Sequence, residues 1–350
     1  MKKLSKVGKP VGETIGIDVG DKVSRYCVVD AEGEVVEEGT FRNQASSIEK
    51  HFGGARRRIA LEAGGQSAWI ARELTGLGHE VIVANARELK WITRSDSKND
   101  AVDARKLALL ARADVRLLAP VEHRTAEQQA EIGVVRARDA ILRARTLLIN
   151  SARGIAKGFG VRLPKSITAT FGKRALADLP AMLGPALAAV LEQIDALSHR
   201  IAGYDQQVGK LAAAHPEVQR LTSIPGVGPL TAVTFTLTLG RAERFAHSRD
   251  VAGFLGLRPR QRQSGARDPQ LGISKSGDPY LRKLLVQCAH HILGHFGKDS
   301  ALRQWGLAKA EGGKKATLRA IVAVARKLSV LLHHLWVTGE SFKPFPQTAA

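Results

Sequence analysis

The stretch "TIGIDVG" (residues 14–20) decides the fold of the first part of the chain. It is apolar and rich in β-branched residues, which is typical of a buried strand. The next segment, "VSRYCVVDAEGEVVEEGTF" (23–41), has the pattern of two further strands joined by a turn at residues 31–34. A sheet that begins with three neighbouring strands is therefore predicted.

Strand-like and helix-like segments then alternate. "RRIALEA" (57–63) and "HEVIVAN" (79–85) are apolar runs that predict strands. Between them, "SAWIARELTGLG" (67–78) has helical spacing and ends on Gly78, a residue favoured just after a helix. A further helix is predicted over 100–112. Three strands followed by alternating helices and strands predict an α/β domain with a mixed sheet.

The remainder of the chain is predicted to be helical. Two long segments, 126–158 and 187–214, carry apolar residues every three or four positions. A helical hairpin, a coiled coil and an ordinary helical subdomain all fit that pattern. From residue 216 onward the pattern is mainly helical, with helices predicted over 278–296 and 314–340.

Charge points to a polyanionic partner. The formal net charge is +20, and it is unevenly distributed: residues 1–120 contribute +3 and residues 216–350 contribute +12. Such an excess favours nucleic acid. The two cysteines form no CxxC pair, so no structural zinc site is expected. No apolar run reaches the ~18 residues of a membrane span, and "MKKLSKVGKP" lacks the apolar core of a signal peptide. A cytoplasmic protein is therefore expected.

Four carboxylates stand out in the first third. Asp18 lies inside an apolar strand, and Glu62 ends another. A strand that is otherwise buried has no use for a carboxylate unless it is paired or binds a metal. Asp100 and Asp103 are three residues apart, so they project from one face of a helix. Together the four can bind Mg²⁺, or Mn²⁺ in its place, and a pair of such ions ~4 Å apart cleaves phosphodiesters.

Three of these carboxylates also have a simpler interpretation. Asp100 could cap the helix, Asp103 could pair with Arg105 or Lys106, and Asp18 could cap a turn. For any one residue these alternatives are favoured. The set of four in this order favours a metal site.

The last third carries candidate phosphate contacts. "RPRQRQSGAR" (258–267) surrounds Ser264 with four cations: Arg258, Arg260, Arg262 and Arg267. A serine hydroxyl is a poor nucleophile without a base or metal, so the residues alone favour a phosphate-binding serine. "IPGVGPLTA" resembles a helix–hairpin–helix, in which Gly226 and Gly228 allow a tight turn before a helix N-terminus; a plain linker is the alternative. Further candidates for phosphate contact are Lys275, Arg282 and Lys283, for which a solvated helical face is the alternative.

Six motifs together resemble a known family. "IGIDVG", "IALEAGG", "NDAVDARKLALLAR", "SIPGVGPLTA", "GLRPRQRQSG" and "GISKSGDPYLRKLL" occur here in the order found in a family of bacterial insertion-sequence transposases. The family is also described as bridge-RNA-guided recombinases. It has an N-terminal RuvC-like domain and a C-terminal transposase domain. The resemblance extends from about residue 14 to 340.

The resemblance implies a domain organisation and roles for particular residues. It implies a RuvC-like, RNase H-type domain over 12–120 whose DEDD metal site is formed by Asp18, Glu62, Asp100 and Asp103. A helical coiled-coil region for dimerisation would follow over 121–215, then a transposase domain over 216–342 and a disordered tail over 343–350. Ser264 falls on the serine that attacks the DNA backbone and forms a covalent phosphoserine link. Ser274 and Ser276 are weaker candidates.

The expected function is that of a DNA transposase. The protein would bind donor and target double-stranded DNA as a homo-oligomer, a dimer or a tetramer, and would be nucleoid-associated when acting. A noncoding bridge RNA would pair with both DNAs, so that base pairing reads the sequence. Two alternatives remain open. One is a metal-only nuclease similar to Holliday-junction resolvases, in which water is the nucleophile. The other is a non-catalytic nucleic-acid-binding protein.

Overall fold

The structure is a computed structural model that describes residues 12–86, 100–165, 170–262, 269 and 271–346; of residues 100 and 101 it describes the backbone only. The chain divides into two compact units, Met1–Thr125 and Ala126–Ala350. The second unit therefore includes the segment predicted as a transposase domain and, from residue 126 onward, the segment predicted as a dimerisation region.

The first unit contains a five-stranded sheet in the order β3-β2-β1-β4-β5. Its strands are β1 (Thr14–Asp18), β2 (Val23–Val29), β3 (Val35–Arg42), β4 (Arg58–Glu62) and β5 (Glu80–Ala84). β1 pairs antiparallel with β2, and β2 with β3, whereas β4 runs parallel to β1 and β5 parallel to β4. The predicted α/β domain with a mixed sheet is confirmed. This topology agrees with the RNase H-type fold that the resemblance implies.

Helices cover both faces of this sheet. On one face, α1 (Ala45–Phe52) and α2 (Ser67–Gly76) pack against apolar residues such as Ile15 and Ile59. On the other face lies α3 (Asp100–Ala113), which packs through alanines at positions 104, 108 and 111. These spacings of four and three residues place small side chains along one helix face, so α3 can approach the strands closely.

The second unit is helical. Its helices are α4 (Ala126–Gly158), α5 (Phe171–Ala177), α6 (Gly184–Ala214), α7 (Pro216–Leu221), α8 (Pro229–Leu239), α9 (Ser248–Phe254), α10 (Pro279–Leu293), α11 (Ala301–Ala310) and α12 (Lys314–Thr338). The mainly helical second part of the chain is thus confirmed.

The two long helices, α4 and α6, form an antiparallel hairpin. Arg138 contacts Asp205 at 2.6 Å, and Arg145 donates to Ser198 Oγ at 3.1 Å. From the first contact to the second, the residue number rises by seven on α4 and falls by seven on α6, so the two helices run antiparallel. Of the arrangements left open by the sequence, the chain adopts the helical hairpin. One end of it joins the main core of the unit, and the other end has a small core of its own.

The main core of the second unit surrounds α8 and α12. All residues from Thr231 to Leu239 of α8 are buried. α12 is long and apolar enough to cross a membrane by length and composition, but half of its most apolar stretch is buried in this core. A core helix passes the same test. After α12 the chain stays in contact with the unit, because Ala301 N donates to Pro344 O at 2.9 Å. Residues 343–346, where the disordered tail was predicted to begin, are therefore held at one point.

Candidate active site

Asp18 and Glu62 lie at the same end of the sheet and on the same face. They are the last residues of β1 and β4, and the residues before them, Ile17 and Leu61, are register partners in this parallel pair. Ile17 and Leu61 are fully buried on the face covered by α1 and α2. Because side chains alternate along a strand, Asp18 and Glu62 point to the opposite face, the one covered by α3.

The position of α3 is fixed by contacts along β1 and β4. A Cβ atom on Gly16 would overlap the carbonyl oxygen of Ala104 and lie 2.5 Å from the backbone nitrogen of Ala108. Further back, Arg58 of β4 donates to the carbonyl of Ala111 at 3.3 Å. Residue numbers on the helix therefore fall as those on the strands rise. The helix runs antiparallel to β1 and β4, and its N-terminus lies toward their carboxyl ends.

The rise per residue along the strands and the helix places all four carboxylates at one end of the sheet. From Gly16 to Asp18 a strand advances about 6.6 Å. From Ala104 back to Asp100 a helix advances about 6 Å. The first turn of α3, which carries Asp100 and Asp103, is therefore level with the strand ends that carry Asp18 and Glu62.

The carboxylate side chains that the structure describes are not close enough together to coordinate one metal ion. Asp103 Oδ1 lies 4.0 Å from Lys106 Nζ, and its side chain is 16% exposed. Among the side chains that the structure describes, no three His, Cys, Asp or Glu residues are close enough to hold a metal ion. The side chain of Asp100 lies outside that description. The chemistry of the set still suits a hard divalent cation, because all its donors are carboxylate oxygens at one end of the sheet.

Polar residues connect the loops that follow Asp18 and Glu62. Asn43 Nδ2 donates to Gly20 O at 2.9 Å, and Gln66 Nε2 donates to the carbonyls of Gly20 and Asp21. The loop after β1 is thereby joined to the loop after β4. Sequence reasoning missed both residues. For Gln66 a signal is the polar "GGQS" (64–67) directly after an apolar strand.

A buried serine and a histidine support the same loop. Ser67 is fully buried; its Oγ accepts from Gly64 N at 2.9 Å and lies 2.9 Å from His123 Nε2. Burial lowers the pKa of His123, and the nearby Arg72 and Arg124 lower it further. A neutral imidazole is therefore favoured at this contact. These residues were also missed, since nothing in the sequence pairs positions 56 residues apart.

In the second unit, two extended segments form the arms of a β-hairpin. Pro259 and Ile273 form an antiparallel bridge, Arg260 N donates to Gly272 O at 3.0 Å, and Ser274 N donates to Arg258 O at 2.9 Å. Ser264 and Arg267 belong to the connecting segment and lie outside the described residues. Arg258, Arg260 and Arg262 are exposed at alternate positions of one arm, which places their side chains on one face.

The base of this hairpin is tightly packed. A Cβ atom on Gly256 would overlap the backbone of Ser276, and both Gly256 and Gly277 have positive φ. Lys275 also has a positive φ, of 58°, which is uncommon for a residue with a side chain. Arg282 donates to Leu255 O at 3.0 Å and to Ser276 O at 2.8 Å. The guanidinium predicted to contact phosphate thus holds the two arms together.

The remaining nucleic-acid candidates are spread over the unit. Lys283 is half-exposed, with its Nζ 3.8 Å from Asp139 Oδ1. Gly226 has a φ of 90° and packs against α10, where a Cβ atom would lie 3.0 Å from the His291 ring. Gly228 is exposed and precedes Pro229, the first residue of α8. The structure therefore has the turn between two helices that the glycines predicted.

Ser274 and Ser276, the weaker candidates for the nucleophile, are exposed. Their hydroxyl oxygens lie 2.9 Å apart. Each therefore has a hydroxyl partner but neither has a base in this contact.

Comparison with known proteins identifies the family. Residues 218–304 match the family described as "Transposase IS116/IS110/IS902 family", and residues 15–160 match the DEDD transposase family of IS110. The chain is 30% identical to the transposase for insertion sequence element IS1111A of Coxiella burnetii over 345 residues, which cover 94% of this chain and 91% of the relative. It is 34% identical to a probable family 20 transposase of Pseudomonas aeruginosa over 293 residues, or 82% and 86% of the two chains.

A shorter match links the chain to a second kind of protein. The pilin gene-inverting protein of Moraxella bovis is 30% identical over 136 residues, which cover 37% of this chain and 41% of the relative. The two long matches extend over both units. The chain therefore belongs to the IS116/IS110/IS902 family of transposases.

Proposed function

We propose that this transposase excises and inserts an insertion-sequence element by attack of Ser264 on the DNA backbone, with Mg²⁺ held by Asp18, Glu62, Asp100 and Asp103. Membership in the family makes the protein a DNA-acting enzyme, and its DEDD domain indicates use of a divalent metal. We further propose that a noncoding bridge RNA selects the donor and target sites. The protein would act as a homo-oligomer in the cytoplasm, at the nucleoid.

One observation carries this proposal. Asp18 and Glu62 end two neighbouring parallel strands on one face, and the helix packed on that face runs antiparallel, with Asp100 and Asp103 in its first turn. An all-carboxylate set at strand ends has no obvious role in a scaffold, since like charges repel when they are brought together. Mg²⁺, when bound there, would neutralise charge on a phosphate.

The residues of the chain itself have distinct tasks in this reaction. Ser264 Oγ forms a bond to phosphorus while the bond from phosphorus to a deoxyribose oxygen breaks, and the serine proton passes to a base or to solvent. The phosphoserine link keeps the energy of the phosphodiester, so a second deoxyribose hydroxyl can displace the serine. Arg258, Arg260 and Arg262, on one face of the adjoining arm, would hold the DNA backbone.

The oligomeric state rests on the helical hairpin. Several apolar side chains toward the end of the hairpin remote from the main core are exposed: Leu147, Ile155, Phe159, Leu176 and Met182. Exposed apolar groups of this kind are typical of protein–protein contacts. We propose that this end of the hairpin carries the dimer contact.

Recombination rather than simple cleavage is supported by a relative. The name of the Moraxella bovis protein states that it inverts a pilin gene, and inversion requires that cleaved strands be rejoined. A metal-only nuclease would release the ends instead. We therefore favour the serine mechanism over the metal-only nuclease.

Substitution of the serines separates these two mechanisms. We expect Ser264→Ala to abolish covalent protein–DNA adducts and strand exchange. Ser274→Ala and Ser276→Ala serve as matched controls, because both residues are exposed near the same hairpin, and we expect them to retain adduct formation. Undiminished strand cleavage by Ser264→Ala would refute the serine mechanism and favour attack by water.

Substitution of Asp103 tests whether the carboxylates act in chemistry at all. Asp103→Asn keeps the shape of the side chain and removes its charge. We expect DNA binding to persist while cleavage falls at least about 100-fold. Unchanged cleavage would contradict a role for Asp103 in a catalytic metal site, and no cleavage by the wild-type protein itself would favour a non-catalytic nucleic-acid-binding protein.

The bridge RNA requires its own test. The protein would be expressed from its native locus with flanking DNA and purified, and the RNA bound to it sequenced. One discrete RNA that maps beside the gene is the expected result. Scattered cellular RNA would contradict guidance by a bridge RNA and leave recognition of DNA to the protein.

A further inference from the structure

A long groove lies in the second unit beside the β-hairpin. Its volume is 1470 Å³, and it is bounded by the hairpin arms, α11, α12 and the chain after α12. Pockets for small ligands usually measure about 300–1,000 Å³. A groove of this size suits a segment of a polymer rather than one small molecule.

The floor of the groove is apolar. It is formed by side chains that pack against the main core on one side and line the groove on the other: Ile273, Leu302, Trp305, Val322, Leu331 and Phe342. The hydrogen bond from Ala301 N to Pro344 O holds one wall in place. A ligand in this groove would therefore bury apolar surface against a firm base.

The charged side chains along the rim of the groove are all cationic. Seven of its lining residues are basic, namely Arg260, Lys275, Lys309, Arg319, Arg326, Lys327 and Lys343, and all are exposed. No Asp or Glu is among the described lining residues. Two of the lysines contact the Trp305 ring: Lys327 Nζ lies 3.9 Å from its centroid and Lys309 Nζ lies 5.3 Å away. So many cations in one groove, with no acidic side chain lining it, favour a polyanion.

The combination of floor and rim distinguishes between forms of nucleic acid. A duplex presents phosphates outward and hides the faces of its bases, so it gains nothing from an apolar floor. Unpaired nucleotides expose those faces, and proteins bind them with apolar or aromatic surfaces inside a cationic groove. The apolar floor and cationic rim of this groove therefore suit unpaired nucleotides rather than a duplex.

The neighbouring serine identifies the strand as DNA. Arg260 lines the groove, and Ser264 follows it by four residues, so the two Cα atoms are at most about 14 Å apart. We propose that the groove binds an unpaired stretch of the DNA strand that Ser264 attacks. The identification of DNA rests on the proposed function; the binding of unpaired nucleotides rests on the groove itself. The last residues of the chain, 347–350, carry no acidic side chain and do not match the rim.

Fluorescence anisotropy with the full-length protein tests this proposal. The probes are a labelled oligo-dT of about 12 nucleotides, an oligo-U of the same length and a DNA duplex of the same length. We expect the double variant Arg319→Glu/Arg326→Glu to bind oligo-dT at least about tenfold more weakly, because charge reversal removes phosphate contacts. We expect its binding of duplex to change no more than that of the control.

The control variant is Lys314→Glu/Lys315→Glu. It makes the same change in net charge on the same helix, at exposed positions that do not line the groove. An equal loss of oligo-dT binding in both variants would refute the groove as the site. A loss confined to oligo-U would contradict DNA as the occupant and assign the groove to RNA.

Two further variants separate this proposal from others. Leu318→Ser removes a lining side chain that is 55% exposed, so it should leave folding intact. We expect it to weaken oligo-dT binding with no change in salt dependence, because this side chain would contact bases rather than phosphates. Unchanged affinity would contradict a role for the apolar lining of the groove in binding bases. Ser264→Ala should bind oligo-dT like the wild type, so failure of the serine mechanism would not be mistaken for failure of the groove.

Discussion

The contact between Gly16 and α3 gives a sharp prediction about the acidic site. In Gly16→Ala the added Cβ atom would overlap the Ala104 carbonyl and lie 2.5 Å from the Ala108 nitrogen. Ordinary contacts between such atoms are about 3.5 Å, so the helix must move outward by at least about 1 Å. Overpacking of this kind costs about 1–3 kcal/mol of the free energy of unfolding. A domain with about 5–15 kcal/mol of stability remains folded.

The loss of activity should exceed what this loss of stability explains. The same movement would carry Asp100 and Asp103 away from Asp18 and Glu62. A misplacement of about 1 Å in a catalytic group can reduce a rate about 100-fold. We therefore expect strand cleavage to fall about 100-fold at a temperature where urea denaturation shows the protein to be fully folded.

A glycine without neighbours provides the control. A Cβ atom on Gly76, the last residue of α2, would meet no atom within 4 Å. Gly76→Ala should keep both its stability and its cleavage rate. If Gly16→Ala matched that control in both measurements, the close approach of α3 would be refuted. If it lost stability but cleaved DNA at the full rate, the helix would not position the carboxylates.

Three further predictions follow from the described contacts. Arg282→Gln should lower the free energy of unfolding by about 1–3 kcal/mol and reduce adduct formation, because it removes two hydrogen bonds at the hairpin base, as thermal and adduct assays would record. Gly256→Ala should disrupt the base of the hairpin, because the φ of Gly256 is positive and the added Cβ would overlap Ser276. It should reduce adduct formation and leave the folding of the first unit unchanged. Because the pKa of His123 is lowered in the folded protein, the unfolded chain takes up its proton first as the pH falls below about 6.5; stability should fall there, and less so in His123→Asn, measured as Tm against pH.

Specific results would contradict these three predictions. A normal Tm for Arg282→Gln would mean that its hydrogen bonds add nothing to the hairpin. Full adduct formation by Gly256→Ala would show that the base need not be tight. An unchanged pH dependence in His123→Asn would mean that His123 does not cause the loss of stability at low pH; His333, whose pKa is also lowered mainly by burial, would be the next residue to substitute.

Much of the first unit could be predicted from the sequence, for a physical reason. Its strands are short apolar runs bounded by polar turns, and each predicted strand is present within two residues of its predicted ends. The long helix over 126–158 was also predicted with its observed bounds. In contrast, α1 and α5 were missed, because helices of seven or eight residues carry too few periodic positions.

Only part of the candidate site could be predicted from the sequence. Alternation along β1 and β4 places Asp18 and Glu62 on one face, and that could be worked out from the strands. The direction of α3 could not, because it depends on which helix residues meet Gly16 across the sheet. A glycine inside a strand is itself a signal of close backbone approach. The pairing of 258–260 with 272–274 also left no local pattern, since it joins segments across a loop.

The most direct test of the central claim is to identify the residue that becomes attached to DNA. The wild-type protein would be trapped on its own element ends with Mg²⁺, digested, and the nucleotide-bearing peptide sequenced by mass spectrometry. We predict a single modified residue, Ser264. A nucleotide on Ser274 or Ser276, or efficient cleavage with no modified peptide at all, would contradict the account.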